Sequence, residues 1–185
     1  RARFLWRLYR EHVLNRGSAS RMFDGYMGLQ RTMPQDRWSP FLRNHDQTRT
    51  LTDLGGDPAK ARVAVTLLLT LPGLPFLYYG EEIGMVGNKR NGDEDLRTPM
   101  QWTRAGGFTT GTPWRAPQAD WATVNVESQE NDPASLLNLH RRLVHLRAAN
   151  RAIASGELVP LPAMSPQVAA YIRKDARRPA LVVAN

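Results

Sequence analysis

The sequence predicts an α/β protein built around a strand–helix–strand unit with parallel strands. Three observations predict it. Residues 41–44 form a short segment, beginning with Phe41 and Leu42, that is predicted to be a strand. The pair Asp57-Pro58 is typical of a helix start and precedes an apolar helix over residues 59–71. The aromatic segment 75–80, which follows Pro72-Gly73, is predicted to be a second, buried strand.

The other elements follow in chain order. Residues 1–15 have apolar side chains at helical spacing and predict a helix that ends near Asn15. Residues 16–40 are rich in glycine and proline and predict a loop, and residues 81–131 predict a long irregular segment of the kind that often carries function. A second Asp-Pro pair at Asp132 precedes a leucine-striped helix that reaches about Ala149.

After residue 150 the pattern changes to short strands at 167–173 and 180–184, joined by a polar turn. This change predicts a domain boundary, with residues 1–150 in one domain and residues 151–185 in a second, β-rich one. No internal repeat is expected.

Composition excludes several classes of function. The 185 residues contain no cysteine, which excludes disulfide frameworks, cysteine-bound metals and thiol nucleophiles. The net charge of +8 comes from basic residues dispersed among acids, so no nucleic-acid partner is expected. The longest apolar run, residues 63–71, is far shorter than the roughly 20 residues that span a bilayer, so no membrane partner is expected.

Polar side chains follow both predicted strands. Asn44, His45 and Asp46 end the first, and Glu81 follows the second. Because the carboxyl ends of parallel strands meet at one edge of a sheet, these groups are candidates for one site. The alternative is that His45 and Asp46 only cap the following turn, and for Glu81 a structural role as an acceptor for loop amides is favoured over a substrate contact.

Four segments carry a resemblance to a known family. FLRNHDQTR (residues 41–49) resembles the motif at the seventh barrel strand of the α-amylase superfamily of glycoside hydrolases, and LPGLPFLYYGEEIGM (71–85) resembles its eighth strand and the following loop. GDEDLRTPMQW (92–102) is similar to a segment of its amylase, α-glucosidase, oligo-1,6-glucosidase and trehalose synthase branches. NVESQENDPASLLNLHRRLVHLR (125–147) is similar to the run into its last barrel helix.

The resemblance implies a fold and a reaction. Residues 1–150 would be the C-terminal portion of a catalytic (β/α)8 TIM barrel, and residues 151–185 the start of the antiparallel β-sandwich domain that follows it. The implied activity is retaining hydrolysis or transfer on α-glucans or maltooligosaccharides, in which a nucleophile and an acid flank the glycosidic bond.

The resemblance also implies roles for individual residues. Asp46 would stabilise the transition state as a third carboxylate, and His45 would hydrogen-bond the same sugar. Arg97 would help to hold the sugar in the neighbouring subsite, near Asp95. Arg49 and Asn44 are further candidates for substrate binding. Met85 and Met100 are expected in the core, and His140 and His145 at the surface or capping a helix. For Trp102, Trp114, Trp121, Tyr78 and Tyr79, sugar stacking and loop packing both stay open.

Two expected catalytic groups have no match in the sequence. Neither the family's nucleophile motif nor an isolated glutamate at a strand end precedes Asn44. We therefore expect a piece of a longer enzyme that completes its site with a missing N-terminal part and is inactive alone. We expect no cofactor or metal in this chain, with calcium confined to parts of the parent absent here. Association of the isolated chain is expected because an unfinished barrel exposes apolar surface. A catalytically silent relative with a binding or assembly role is the alternative, and localisation stays open.

Overall fold

The structure is a computed structural model that describes residues 2–14, 16–34 and 37–185. The chain separates into two compact units. The first comprises residues 1–42, 63–76 and 143–185, and the second comprises residues 43–62 and 77–142. The predicted domain boundary at residue 150 stays a prediction.

The first unit begins with helices α1 (Ala2–Val13) and α2 (Ala19–Thr32). The prediction of α1 is confirmed, and Arg1 and Asn15 lie outside the described residues. The prediction of a loop over 16–40 is wrong for α2. Ser18 caps this helix by accepting the Arg21 N–H at 3.3 Å, and the buried aromatic ring of Tyr26 packs 5.8 Å from that of Tyr9. This packing outweighs the low helix propensity of the two glycines within α2.

Helix α4 (Pro58–Thr70) confirms the predicted apolar helix. The Asp57 carboxylate accepts the N–H groups of Ala59 at 2.9 Å and Lys60 at 3.3 Å, which is the expected cap. Five of its apolar side chains are at most 2% exposed, those of Ala64, Val65, Leu67, Leu68 and Leu69. A short helix α3 (Thr50–Asp53) precedes it.

The two predicted strands that flank α4 are reduced to a single parallel bridge between Phe41 and Phe76. The direction of pairing agrees with the prediction, but the expectation of a buried strand over 75–80 is wrong. Phe76 is 61% exposed and Leu77 is 45% exposed. A strand forms only where neighbours satisfy its backbone groups on a ladder, and this segment has one bridge.

The C-terminal part of the first unit contains α7 (Arg151–Ser155) and an antiparallel sheet in the order β1-β2-β3. Its strands are β1 (Glu157–Pro160), β2 (Ala169–Lys174) and β3 (Ala180–Ala184). The predictions of β2 and β3 are confirmed, whereas α7 and β1 were not predicted. Alternate residues of β2 face inward, and the buried Tyr171 ring lies 5.5 Å from the ring of Phe23.

Two arginines of the first unit bind backbone carbonyls around the end of α4. Arg173 is fully buried and donates to the carbonyls of Gly156, at 2.7 Å, and Thr70. Arg147 donates to the carbonyls of Leu69 at 2.9 Å and Leu71 at 3.1 Å. Burial, together with the nearby positive charge of Arg147, lowers the pKa of Arg173 to about 10.

The second unit is mostly irregular chain around a small apolar core. Short 3-10 turns occupy Glu81–Ile83, Lys89–Asn91 and Glu94–Leu96, followed by α5 (Val126–Glu130) and α6 (Leu136–Ala149), whose later part belongs to the first unit. The predictions that Met85 and Met100 are core residues are confirmed. The prediction of a surface or capping role is wrong for His140, which is 5% exposed and whose Nδ1 lies 3.0 Å from the Leu136 carbonyl, while His145 is exposed as expected.

No described helix combines the length and the apolar character needed to cross a membrane.

Candidate functional site

The loop that follows the first predicted strand presents two of the candidate residues to solvent. The Asn44 side-chain oxygen accepts the Asp46 backbone N–H at 3.0 Å, which closes a tight turn of the type that asparagine favours. The side chains of His45 and Asp46 are 60% and 51% exposed, and His45 Nε2 lies 3.3 Å from Asp46 Oδ2. This turn therefore holds an imidazole and a carboxylate side by side at the surface.

Arg97 connects both residues to a distant part of the chain. Its Nη2 donates to Asp46 Oδ1 at 2.9 Å, and its Nε donates to the His45 carbonyl at 3.1 Å, across 51 and 52 residues. The two oxygens of the Asp46 carboxylate thus face a guanidinium on one side and an imidazole on the other. The structure brings together the three residues to which the resemblance assigns sugar contacts.

A neighbouring aspartate missed by the sequence analysis also binds Arg97. Asp93 Oδ2 lies 3.1 Å from Arg97 Nη2, and the Lys89 ammonium pairs with the same carboxylate. The hydrogen bond from Lys89 lowers the pKa of Asp93, and the positive charges of Lys89 and Arg97 add to this effect. Lys89, Asp93 and Arg97 lie four residues apart, but this spacing predicts contact only on a helix, so the sequence carried no signal for Asp93.

Asp95, the aspartate expected beside Arg97, instead organises the loop. Its carboxylate accepts the Asn88 backbone N–H at 2.6 Å and the Gln118 side-chain amide at 3.3 Å. In the described part of the chain, the ion pairs of Arg97 are with Asp46 and Asp93. Asp95 thus stabilises the loop that carries Arg97 through these hydrogen bonds.

Glu81 and Arg49 form a buried pair. Glu81 accepts the Thr50 backbone N–H at 3.3 Å and lies 3.5 Å from Arg49 Nη1. Burial raises the pKa of Glu81, while the hydrogen bonds from Thr50 and the charge of Arg49 oppose the rise.

Arg49 itself is fully buried, with Nη1 donating to the Tyr79 carbonyl at 2.7 Å. Its guanidinium lies 4.7 Å from the centre of the Tyr78 ring and 4.9 Å from that of Tyr79, within the range of cation–π attraction. Because its side chain is fully buried in this arrangement, Arg49 can affect a ligand only through the residues that it contacts. Its expected place beside the substrate cleft stays a prediction.

An aromatic pocket lies on another side of Arg97. It has a volume of about 400 Å³, and its wall includes Arg97 and Glu82. Burial raises the pKa of Glu82. Trp114 is 61% exposed and Trp102 is 48% exposed, so both side chains are accessible to solvent. The remaining lining residues are Tyr79, Thr98, Pro99, Met100 and Phe108.

Comparison with known proteins identifies the family. The profile described as "Alpha amylase, catalytic domain" matches residues 17–156. The chain belongs to the α-amylase family.

The similar proteins include an α-amylase and a trehalose synthase/amylase. The chain is 38% identical over 133 residues to α-amylase 3 of Dictyoglomus thermophilum, covering 71% of this chain and 26% of that protein. It is 38% identical over 183 residues to the trehalose synthase/amylase TreS of Mycolicibacterium smegmatis, covering 77% of this chain and 31% of that protein. The crystal structure of an α-amylase from H. orenii superimposes with a TM-score of 0.82 at 32% identity, covering 97% of this chain and 37% of that one.

The chain therefore spans 26% and 31% of the lengths of these two relatives. Its solved neighbours have the TIM-barrel fold of the family, and the parent family comprises glycosidases that act on α-glucans. Among the described residues no cluster of three or more histidines and acids is placed to hold a metal ion.

The exposed group of Asp46, His45 and Arg97 has the chemistry of a sugar-binding surface. A carboxylate oxygen has room for more than one hydrogen bond, so Asp46 can accept sugar hydroxyls while it stays paired with Arg97. The imidazole of His45 can donate or accept according to its tautomer. An exposed ion pair of this kind adds at most about 1 kcal/mol to stability, so its contribution to the fold is small.

Proposed function

We propose that this chain is the sugar-holding part of a retaining α-glycoside hydrolase or transglycosidase that acts on α-glucans or maltooligosaccharides. Asp46 stabilises the transition state, His45 binds the same glucose ring, and Arg97 helps to hold the sugar in the neighbouring subsite. One observation carries the proposal: Arg97 hydrogen-bonds both the Asp46 carboxylate and the His45 backbone, so the three groups act on one small volume. The family membership supplies the reaction class.

Each group has a distinct part in the proposed chemistry. The charge of Asp46 favours the positive character that develops on the sugar ring in an oxocarbenium-like transition state. Arg97 and His45 hold the carboxylate in place from both sides, which keeps it oriented before the substrate arrives. Asn44 contributes by closing the turn that presents Asp46.

The proposal extends to domain organisation. Residues 1–150 would form the C-terminal portion of the catalytic (β/α)8 barrel, and residues 151–185 would open the β domain that follows. Its support is the order of the four motif segments and the match of the family profile over 17–156. The nucleophile and the general acid would come from an N-terminal part of the same protein, since no segment of this sequence matches their motifs.

A binding and activity experiment on the 185-residue chain tests the proposal. We expect no release of reducing sugar from maltoheptaose, and measurable binding of methyl α-D-glucoside by calorimetric or NMR titration. Asp46→Asn should weaken that binding by about 10- to 100-fold, because a hydrogen bond to a charged group contributes about 1.5–3 kcal/mol. Glu130→Gln is the matched control, since Glu130 is an exposed carboxylate paired with Arg141 at 3.2 Å.

The results separate the two parts of the proposal. Turnover by the isolated chain that Asp46→Asn abolishes would contradict the expected inactivity. Equal binding by Asp46→Asn and Glu130→Gln would contradict the role of Asp46 and favour a silent relative with a different task.

A further inference from the structure

The pair Asn91-Gly92 ends the short 3-10 turn Lys89–Asn91, on the loop that carries Arg97. It is the one Asn-Gly pair in the sequence. The side chain of Asn91 is exposed to solvent. When an asparagine precedes glycine, the glycine backbone nitrogen can approach the asparagine side-chain amide closely, because glycine has no side chain to block the approach. Sequence and exposure therefore mark Asn91 as a chemically reactive amide.

The backbone of the turn explains why glycine follows Asn91. Gly92 has φ 97° and ψ 170°, a conformation that is strained for any residue with a side chain. Its N–H donates to the Lys89 carbonyl at 3.2 Å and closes the turn. The fold thus requires glycine at this position, and the same requirement leaves the nitrogen beside Asn91 unshielded.

The side-chain amide of Asn91 is held less firmly than that of its neighbour Asn88. The Asn88 side-chain oxygen accepts the Arg90 backbone N–H at 3.1 Å, which fixes it as the cap of the turn. In the described part of the chain the Asn91 side-chain oxygen accepts no hydrogen bond. Its Nδ2 makes one long contact of 3.4 Å to Asp95 Oδ2 at the exposed surface. The carbonyl carbon of Asn91 is therefore open to attack.

We propose that Asn91 is a site of spontaneous deamidation. The Gly92 backbone nitrogen loses its proton to water or hydroxide and attacks the side-chain carbonyl carbon of Asn91, which forms a five-membered succinimide ring. The bond from this carbon to the side-chain nitrogen breaks, and the nitrogen takes a proton from water and leaves as ammonia. Water then opens the ring at either carbonyl and gives aspartate or isoaspartate. The net change is the replacement of an amide by a carboxylic acid, with no oxidant or reductant.

Attack requires the turn to open, since the Gly92 N–H is hydrogen-bonded to the Lys89 carbonyl. This bond belongs to a 3-10 turn of three residues, a structure with poor hydrogen-bond geometry that is used only in short pieces. Lys89 and Asn91 are both exposed, so water can replace the bond when it opens. Local opening of such a surface turn costs far less free energy than global unfolding.

Deamidation changes the charge of the loop that carries Arg97. The Asp95 carboxylate accepts the Asn88 backbone N–H at 2.6 Å and faces the Asn91 amide at 3.4 Å. A carboxylate in place of that amide removes a donor and repels Asp95. In the isoaspartate form the backbone also gains a methylene group, which disrupts the spacing that the 3-10 turn requires. Both products therefore loosen the loop.

Incubation of the 185-residue chain at 37 °C, followed by peptide mass spectrometry, tests the proposal. Trypsin releases residues 91–97 as one peptide, and this peptide should gain about 1 Da and separate into aspartate and isoaspartate forms. The gain should be at least about tenfold faster at pH 9 than at pH 6, because the attacking nitrogen must first lose its proton. Circular dichroism at both pH values verifies that the chain stays folded.

Two controls accompany the incubation. Asn131 is exposed and is followed by Asp132, so the peptide that contains it should keep its mass at residue 131. The matched variant Asn91→Gln keeps a side-chain amide but would have to close a six-membered ring, so its peptide should show no mass gain over the same period.

Amide hydrogen exchange measures the effect on the loop without any sugar ligand. Asn91→Asp reproduces the aspartate product, and we expect faster exchange in residues 88–97 than in the wild type, whereas Asn91→Gln should exchange like the wild type. Equal exchange in all three proteins would overturn the expected loosening of the loop.

The outcomes are independent of the proposed function, since none of them requires sugar binding. A mass gain at residue 91 that is faster at pH 9 and absent at residue 131 supports the proposal. An unchanged mass at residue 91 after incubation at pH 9 overturns it. Equal rates at pH 6 and pH 9, or a gain at residue 131 as fast as at residue 91, overturn the assigned attack by the Gly92 nitrogen.

Discussion

Replacing Arg49 by methionine probes the buried pair beneath the candidate site. The variant removes the hydrogen bond to the Tyr79 carbonyl at 2.7 Å and leaves Glu81 without its nearest cation. Breaking a buried pair by removing one partner costs about 3–5 kcal/mol. Methionine returns about 0.3–1.5 kcal/mol, because its sulfur can contact the rings of Tyr78 and Tyr79. We therefore expect a loss of about 2–4 kcal/mol in the free energy of unfolding at neutral pH.

The loss should depend on pH in a defined direction. Burial raises the pKa of Glu81, and Arg49 is one of the groups that limits the rise, with a smaller contribution from Arg43. Removing Arg49 therefore raises the pKa of Glu81 in the folded state further above its unfolded value of about 4.3. A raised folded pKa means that stability is greatest below the unfolded pKa and is lost as the pH rises through the folded pKa.

Urea unfolding followed by tryptophan fluorescence at pH 4 and pH 7.5 measures this effect, with low micromolar protein to limit association. The deficit of Arg49→Met relative to the wild type should be smaller at pH 4, by about 1.4 kcal/mol for each unit by which the pKa of Glu81 rises. The double variant Arg49→Met/Glu81→Gln should recover much of the loss at pH 7.5, because no charge is left buried. An equal deficit at both pH values would refute the reasoning.

Two other predictions follow from local geometry and exposure. Gly87→Ala would place a Cβ atom 2.4 Å from the backbone carbonyl oxygen of Asp95, so it should cost about 1–3 kcal/mol in urea unfolding and weaken methyl α-D-glucoside binding by shifting the loop that carries Arg97. In Gly111→Ala the new Cβ atom would meet the Thr109 hydroxyl oxygen at 3.8 Å, an ordinary van der Waals contact, so stability should change by less than about 0.5 kcal/mol. The chain should self-associate in sedimentation velocity experiments. Phe76→Ser should shift it towards the monomer, because the substitution removes an exposed apolar side chain. A monomeric wild type would contradict this expectation.

The sequence predicts best those elements whose causes are local. Helix α4 was predictable because the Asp57 carboxylate binds the N–H groups of the two residues after Pro58. Helix α2 was not predictable, because its two glycines have low helix propensity. The contact between the rings of Tyr9 and Tyr26 that stabilises it joins residues 17 positions apart. The prediction of two full strands around α4 was wrong for a related reason. Strand pairing depends on neighbouring strands that the periodicity of apolar residues does not reveal.

The candidate site shows the same division. The turn of Asn44 to Asp46 is local and could be expected, but the contact of Arg97 with Asp46 spans 51 residues and rested on the resemblance. Arg97 pairs with Asp93 and not with Asp95. Which of the two aspartates faces Arg97 depends on how the 3-10 turn Glu94–Leu96 orients the side chains around it. Spacing alone does not specify that orientation.

The carbonyl contacts of Arg147 and Arg173 have a consequence for any attempt to shorten the protein. Arg173 lies on β2, yet it neutralises the negative end of α4 by binding the Thr70 carbonyl. A truncation after residue 150 would delete Arg173 and strip a counter-charge from a helix more than a hundred positions upstream. A shortened version of the protein that keeps α4 would therefore also have to keep β2 to retain this contact.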